Sequence, residues 1–90
     1  MKILIVEDEP LTRENIALVL RMEGYEVVTA ADGQKGVQAA IQHRPDLILC
    51  DVTMPKADGY EVLRQVRASD LAKATPFIFL TARADRADLR

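Results

Sequence analysis

Tryptophan is absent from the 90 residues, and aromatic side chains amount to two Phe and two Tyr. A surface that stacks single-stranded nucleic acid needs a row of exposed rings, so this composition disfavours that class. No basic excess is present: twelve Lys and Arg against fourteen Asp and Glu leave a net charge of −2. The electrostatic footprint of a duplex-binding stripe is therefore missing, and the segment is expected to bind no nucleic acid. One cysteine, Cys50, cannot form an internal disulfide, which fits a reducing compartment. It lies inside an apolar run and reads as a small buried hydrophobe. Apolar runs reach only about four to five residues against the ~20 that a membrane span requires. The N-terminus also lacks the long apolar stretch and small-residue cleavage site of a signal peptide. Cytoplasmic localisation without membrane contact is the resulting expectation.

A chain of this length is expected to be a single domain, residues 1–90. Its elements alternate. Lys2 to Val6 is a short, β-branched apolar run that predicts a buried strand. Pro10 suits the first turn of a helix, where its missing N–H costs nothing. In that helix Ile16, Val19 and Leu20 are placed inward, Arg13, Glu14 and Arg21 outward, and Gly24 ends it. Tyr25 to Ala30 predicts a second strand. Asp32 then caps a helix from Gln34 to His43, with Val37, Ala40 and Ile41 inward, and Pro45 stops it. Asp46 to Cys50 predicts the third strand, Glu61 to Ala68 the third helix with Val62, Leu63 and Val66 inward, and Phe77 to Leu80 the fourth strand. Asp85 to Arg90 reads as the first turns of another helix. The alternation implies a parallel sheet with right-handed crossovers and helices on both faces.

Two of the apolar runs finish in carboxylates. Ile3-Leu4-Ile5-Val6 runs into Glu7-Asp8, and Leu47-Ile48-Leu49-Cys50 runs into Asp51. If those strands lie side by side, three acids crowd into one pocket at the edge of the sheet. Like charges at that spacing call for a divalent cation or raised pKa values. In open parallel sheets the functional crevice lies beyond the carboxyl ends of the strands, where strand order reverses. Glu7, Asp8, Asp51 and Thr81 all fall at such ends. Other roles remain open. Glu7 and Asp8 also suit a helix N-terminus, Asp51 a loop or cap, and Thr81 the N-cap of the segment after it. Met54 reads as a packing residue at the pocket rim. His43, the only histidine, reads as a solvated partner of a helix end rather than a phosphodonor or metal ligand. Arg83, Asp85, Arg86 and Asp88 read as a solvated mixed-charge face.

The acidic pair Glu7-Asp8, Asp51 followed by Met54-Pro55, Asp58-Gly59 before the third helix, and Thr81-Ala82 closing the fourth strand together resemble the receiver domain of two-component response regulators. The resemblance runs along the whole chain. It implies a flavodoxin-like α/β fold with parallel strand order 2-1-3-4. It also implies that Asp51 accepts a phosphoryl group from a sensor histidine kinase or phosphotransfer protein, with Mg²⁺ as cofactor. By the same resemblance Asp8 and Asp51 bind the ion directly, Glu7 acts through a water, and the backbone carbonyl of Thr53 completes the protein ligands. Thr81 would donate its hydroxyl to the phosphoryl oxygens, and small Ala82 would leave access for the incoming group. Such a module signals by modifying itself and is not a turnover enzyme.

The family pattern continues beyond Arg90 through a fifth strand and fifth helix, roughly thirty residues at usual element lengths. A family lysine that pairs with the phosphoryl group lies there, and Lys35, Lys56 and Lys73 fall on or beside helices instead. A chain without those elements is expected to expose one sheet face and the fourth-strand edge. It would then form a homodimer or an element-swapped oligomer, and phosphotransfer would be impaired. Two other functions compete. One is a receiver-like interaction module that turns over no phosphate. The other is a metal-dependent phosphatase, disfavoured because Thr53 stands where those enzymes place a second Asp.

Overall fold

A computed structural model describes residues 1–52, 54 and 58–80. Among the described residues four strands and three helices alternate: β1 (Lys2–Val6), α1 (Pro10–Met22), β2 (Glu26–Ala30), α2 (Gly33–His43), β3 (Leu47–Asp51), α3 (Gly59–Ala68) and β4 (Phe77–Leu80). All pairings are parallel and the spatial order is β2-β1-β3-β4. The fold class and strand order expected of a flavodoxin-like receiver are therefore present. The predicted helix over Asp85–Arg90 lies outside the described residues.

β1 sits between β2 and β3, so both of its edges are paired, and Ile3 through Val6 are fully buried. Period-two alternation sends Leu4 and Val6 to one face and Ile3 and Ile5 to the other. The first face meets α2 and α3 in a core that includes Ala30, Ala40, Ile48, Cys50, Val62 and Val66. The second meets α1 through Ala17, with Ile16, Leu20, Val27, Leu47 and Leu49 half-buried around it. Each fully buried aliphatic side chain contributes about 1.5–3 kcal/mol, so the central strand anchors the fold.

Local chemistry sets the helix ends. Glu9 is the N-cap of α1, its carboxylate accepting from the Leu11 amide at 2.8 Å, and Pro10 follows in the first turn. The other end closes as a Schellman motif: Gly24 (φ +94°) donates to Arg21 and Tyr25 donates to Leu20. Asp32 caps α2 through the Lys35 amide, and Asp58 caps α3 through the Glu61 amide, both at 2.9 Å. Arg44 adopts a left-handed conformation (φ 47°) at the end of α2 just before Pro45.

One inward assignment is corrected. Val19 is 58% exposed, and Ala17 is the fully buried residue of α1. The packed stripe runs through Arg13, Ile16, Ala17 and Leu20, an i, i+3, i+4, i+7 set that leaves Val19 on its flank. Four elements also shift at their ends, and α2 begins at Gly33 rather than Gln34. β2 begins at Glu26 rather than Tyr25, and β3 covers Leu47–Asp51 rather than starting at Asp46. α3 begins two residues earlier, at Gly59, because Asp58 rather than a later residue supplies the cap.

Candidate metal centre

β1 and β3 are neighbours, yet the connections leaving them diverge to opposite faces of the sheet. A crevice opens between their carboxyl ends, where strand order reverses. Register sets the rim: Val6 pairs with Cys50, so Glu7 and Asp51 follow at the same level. Asp51 is itself the last residue of β3 and lies level with Leu80 of β4.

The carboxylates of Glu7, Asp8 and Asp51 converge there, each offering an oxygen within 4.8 Å of the others. Glu7 and Asp51 are each only 3% exposed, and Asp8 is half-buried. At that spacing two full negative charges repel by roughly 3 kcal/mol for an effective dielectric near 20. The donor set is all oxygen and all anionic, which suits a small hard cation such as Mg²⁺ that keeps several of its own waters. The residues present fit such an ion.

Glu7 is held at three points. Its amide donates to the Ala30 carbonyl at 3.1 Å, and its carboxylate accepts from the Glu9 amide at 2.9 Å. Its carbonyl accepts from the Arg13 guanidinium at 3.0 Å. Asp51 is framed from the other side: the Gly59 amide donates to the Val52 carbonyl at 2.7 Å and seats the start of α3 against the end of β3. Met54 is buried in the α2–α3 core, as its reading as a rim packing residue implied.

Cys50 is fully buried one residue before Asp51, and its thiol donates to the Asp51 carbonyl at 3.3 Å. Burial above all, then the negative charges of Asp51, Glu7 and Asp58, pushes its pKa up to about 12. The thiol therefore stays protonated and acts as a small core residue, neither ligand nor nucleophile.

The structure thus brings together Glu7, Asp8 and Asp51, three of the residues singled out from the sequence. Thr53, Thr81 and Ala82 lie outside the described residues. His43 ends α2, and its carbonyl accepts from the Lys2 ammonium at 3.2 Å. Three neighbours of the site escaped the sequence reading. Arg13 had been placed on the polar face, Glu9 had no assignment, and the close approach of Gly59 was not foreseen. Glu9 carried a signal, being the polar residue just before a helix-opening proline.

Among the described residues no helix is long and apolar enough to cross a membrane. Comparison with known proteins converges on one family. The family model of the response regulator receiver domain matches residues 3–90. The transcriptional regulatory protein PdtaR of Mycobacterium tuberculosis (strain ATCC 25618 / H37Rv) is 43% identical over 86 residues, covering 94% of this chain and 40% of that protein. The transcriptional regulatory protein AfsQ1 of Streptomyces coelicolor is 41% identical over 87 residues, 97% of this chain and 37% of that protein. The chain thus spans well under half the length of these curated relatives. Among solved structures, the receiver domain of the sensor histidine kinase PA1611 from Pseudomonas aeruginosa PAO1 superposes with a TM-score of 0.87. It is 41% identical, the match covers 98% of this chain and 72% of that one, and it carries a magnesium ion coordinated in its active-site cleft. With the parallel order 2-1-3-4 and the three acids at its switch point, this chain belongs to the response regulator receiver domain family.

Proposed function

We propose that this chain is a phosphoacceptor module that takes a phosphoryl group on Asp51 from a phosphohistidine of a sensor histidine kinase or phosphotransfer protein, in a Mg²⁺-dependent reaction. The observation that carries the reading is the convergence of three carboxylates within 4.8 Å at the β1–β3 crevice. A carboxylate oxygen of Asp51 attacks phosphorus, a P–O bond forms as the P–N bond breaks, and the imidazole leaves. Asp51 is ready for this role because it ends a rigid central strand beside the crevice. A bound Mg²⁺ supplies charge neutralisation between the attacking carboxylate and the anionic group. Asp8 and Asp51 would hold it directly, Glu7 through a water, with the Thr53 carbonyl as a further ligand. Thr81 and Ala82 keep the roles the family resemblance gives them, hydrogen-bonding and admitting the phosphoryl group.

In this reading the protein is modified once per signal and is not a turnover enzyme, and it works in the cytoplasm. Association of copies along β4 belongs to the same reading. Ile78 on that strand is 51% exposed, an unusual position for a large aliphatic side chain within a sheet.

Incubation with acetyl phosphate and Mg²⁺, followed by intact-mass measurement, tests the proposal. One added phosphoryl group is expected, absent in Asp51→Asn and absent when EDTA replaces Mg²⁺. Unchanged labelling of Asp51→Asn would refute it.

A further inference from the structure

Arg13 breaks the pattern of its own helix. It lies on the packed stripe of α1, three and four residues before Ile16 and Ala17, where an apolar residue is the rule. Its side chain is only 17% exposed, its stem lying against the protein and its head turned to the acidic rim. Nη1 donates to the Glu7 carbonyl at 3.0 Å, across six residues of sequence. The guanidinium also forms a loose ion pair with Glu14, at 3.9 Å. The backbone joins in: the Arg13 amide donates to the Glu9 carbonyl at 2.9 Å, while the Glu9 amide donates to the Glu7 carboxylate at 2.9 Å. The turn carrying Glu7 and Asp8 is thus tied to the first turn of α1 at both ends.

We propose that Arg13 is a positioning residue of the acidic centre, clamping the Glu7 carbonyl so that the Glu7 and Asp8 carboxylates stay turned toward Asp51. The geometry explains why the clamp is needed. The Glu7 carbonyl lies just past the end of β1, where it accepts from the Arg13 guanidinium at 3.0 Å. Rotation of the 7–8 peptide would swing the Asp8 side chain away from the crevice. A guanidinium opposes that rotation with a charge-assisted hydrogen bond to the carbonyl itself. Groups that orient a metal's ligands without touching it typically change affinity by roughly ten- to a hundredfold.

The inference rests on the metal-binding reading, and charge makes it testable by sign. By charge alone, removing a cation beside three acids tightens Mg²⁺ binding. By positioning, removal loosens it. Calorimetric titration of MgCl₂ into wild-type protein, Arg13→Ala and Arg13→Lys separates the two. We expect Arg13→Ala to weaken Mg²⁺ roughly tenfold, at the lower end for such groups. Arg13→Lys, which keeps a cationic donor, should recover most of the loss. Arg13→Met keeps the buried stem and replaces the alanine variant if circular dichroism shows the latter unfolded. Equal or tighter Mg²⁺ binding in a folded Ala or Met variant would overturn the proposal, as would a lysine variant that recovers nothing. Absence of Mg²⁺ binding by the wild-type protein would instead refute the metal reading itself.

Discussion

A side chain at position 59 would collide with the end of β3: an ideal Cβ on Gly59 falls 2.5 Å from the carbonyl oxygen of Asp51. It would also lie 3.0 Å from the Val52 Cα, so the obstacle is backbone and cannot rotate aside. Gly36 offers a contrast, because its Cβ would meet only the Val6 side chain, at 2.8 Å. Both Gly59→Ala and Gly36→Ala are expected to lower unfolding free energy by about 1–3 kcal/mol, the usual cost of overpacking. Only Gly59→Ala should also weaken Mg²⁺ binding, because relief there must move the end of β3. Urea unfolding and Mg²⁺ calorimetry on the two variants check the split.

The three acids repel one another in the absence of a cation, so removing one charge should act oppositely on stability and on binding. Asp8→Asn is expected to raise the unfolding midpoint of the metal-free protein slightly while weakening Mg²⁺ by an order of magnitude or more. Mg²⁺ itself should stabilise the wild type in proportion to the logarithm of its concentration, and EDTA should reverse the gain. An Asp8→Asn variant that binds Mg²⁺ as tightly as wild type would remove Asp8 from the ligand set.

Cys50 makes the fold sensitive to alkali. Its thiol keeps its proton up to about 12 in the native state against an ordinary value of 9.0. Above pH 9.0 the unfolded chain therefore loses a proton that the native chain retains. Stability from this group is complete below that pH and declines as pH rises toward about 12. Cys50→Ala should cost roughly 1 kcal/mol at neutral pH through lost packing. Its stability should then fall less steeply than wild type between pH 9 and 11 (roughly that window, by linkage). Parallel slopes in urea melts across the range would count against the assignment.

If β4 mediates association, a charge on its exposed face should prevent it. Ile78→Lys is expected to leave the fold intact, because that side chain is already half exposed, and to hold the protein monomeric at high concentration. Light scattering on both proteins decides. A wild-type protein that stays monomeric throughout would end the idea.

Much of the site could be read along the chain. The residues Glu7, Asp8 and Asp51 announced themselves because each follows an apolar run, and apolar runs of that length become central parallel strands whose ends define a crevice. The cap at Asp32 was equally legible, where a short polar side chain precedes helical spacing. Two things were not. Val19 satisfied a periodic pattern yet faces outward, because several overlapping stripes fit α1 and only contact with Ile3 and Ile5 selects one. Arg13 looked like any surface cation, since nothing local reveals that its guanidinium reaches back to the carbonyl just past the end of β1.

The amino-acid order alone determined the alternation of elements, the ends of the helices and the identity of the three acids, because each of these depends on neighbours a few residues away. Tertiary structure decided the distances. Strand register places residues 7 and 51 at one level, a guanidinium six residues on fixes a carbonyl, and a missing side chain at position 59 lets a helix rest on the β3 backbone. Those relationships join groups far apart in sequence, and only packing of the sheet against its helices brings them within reach.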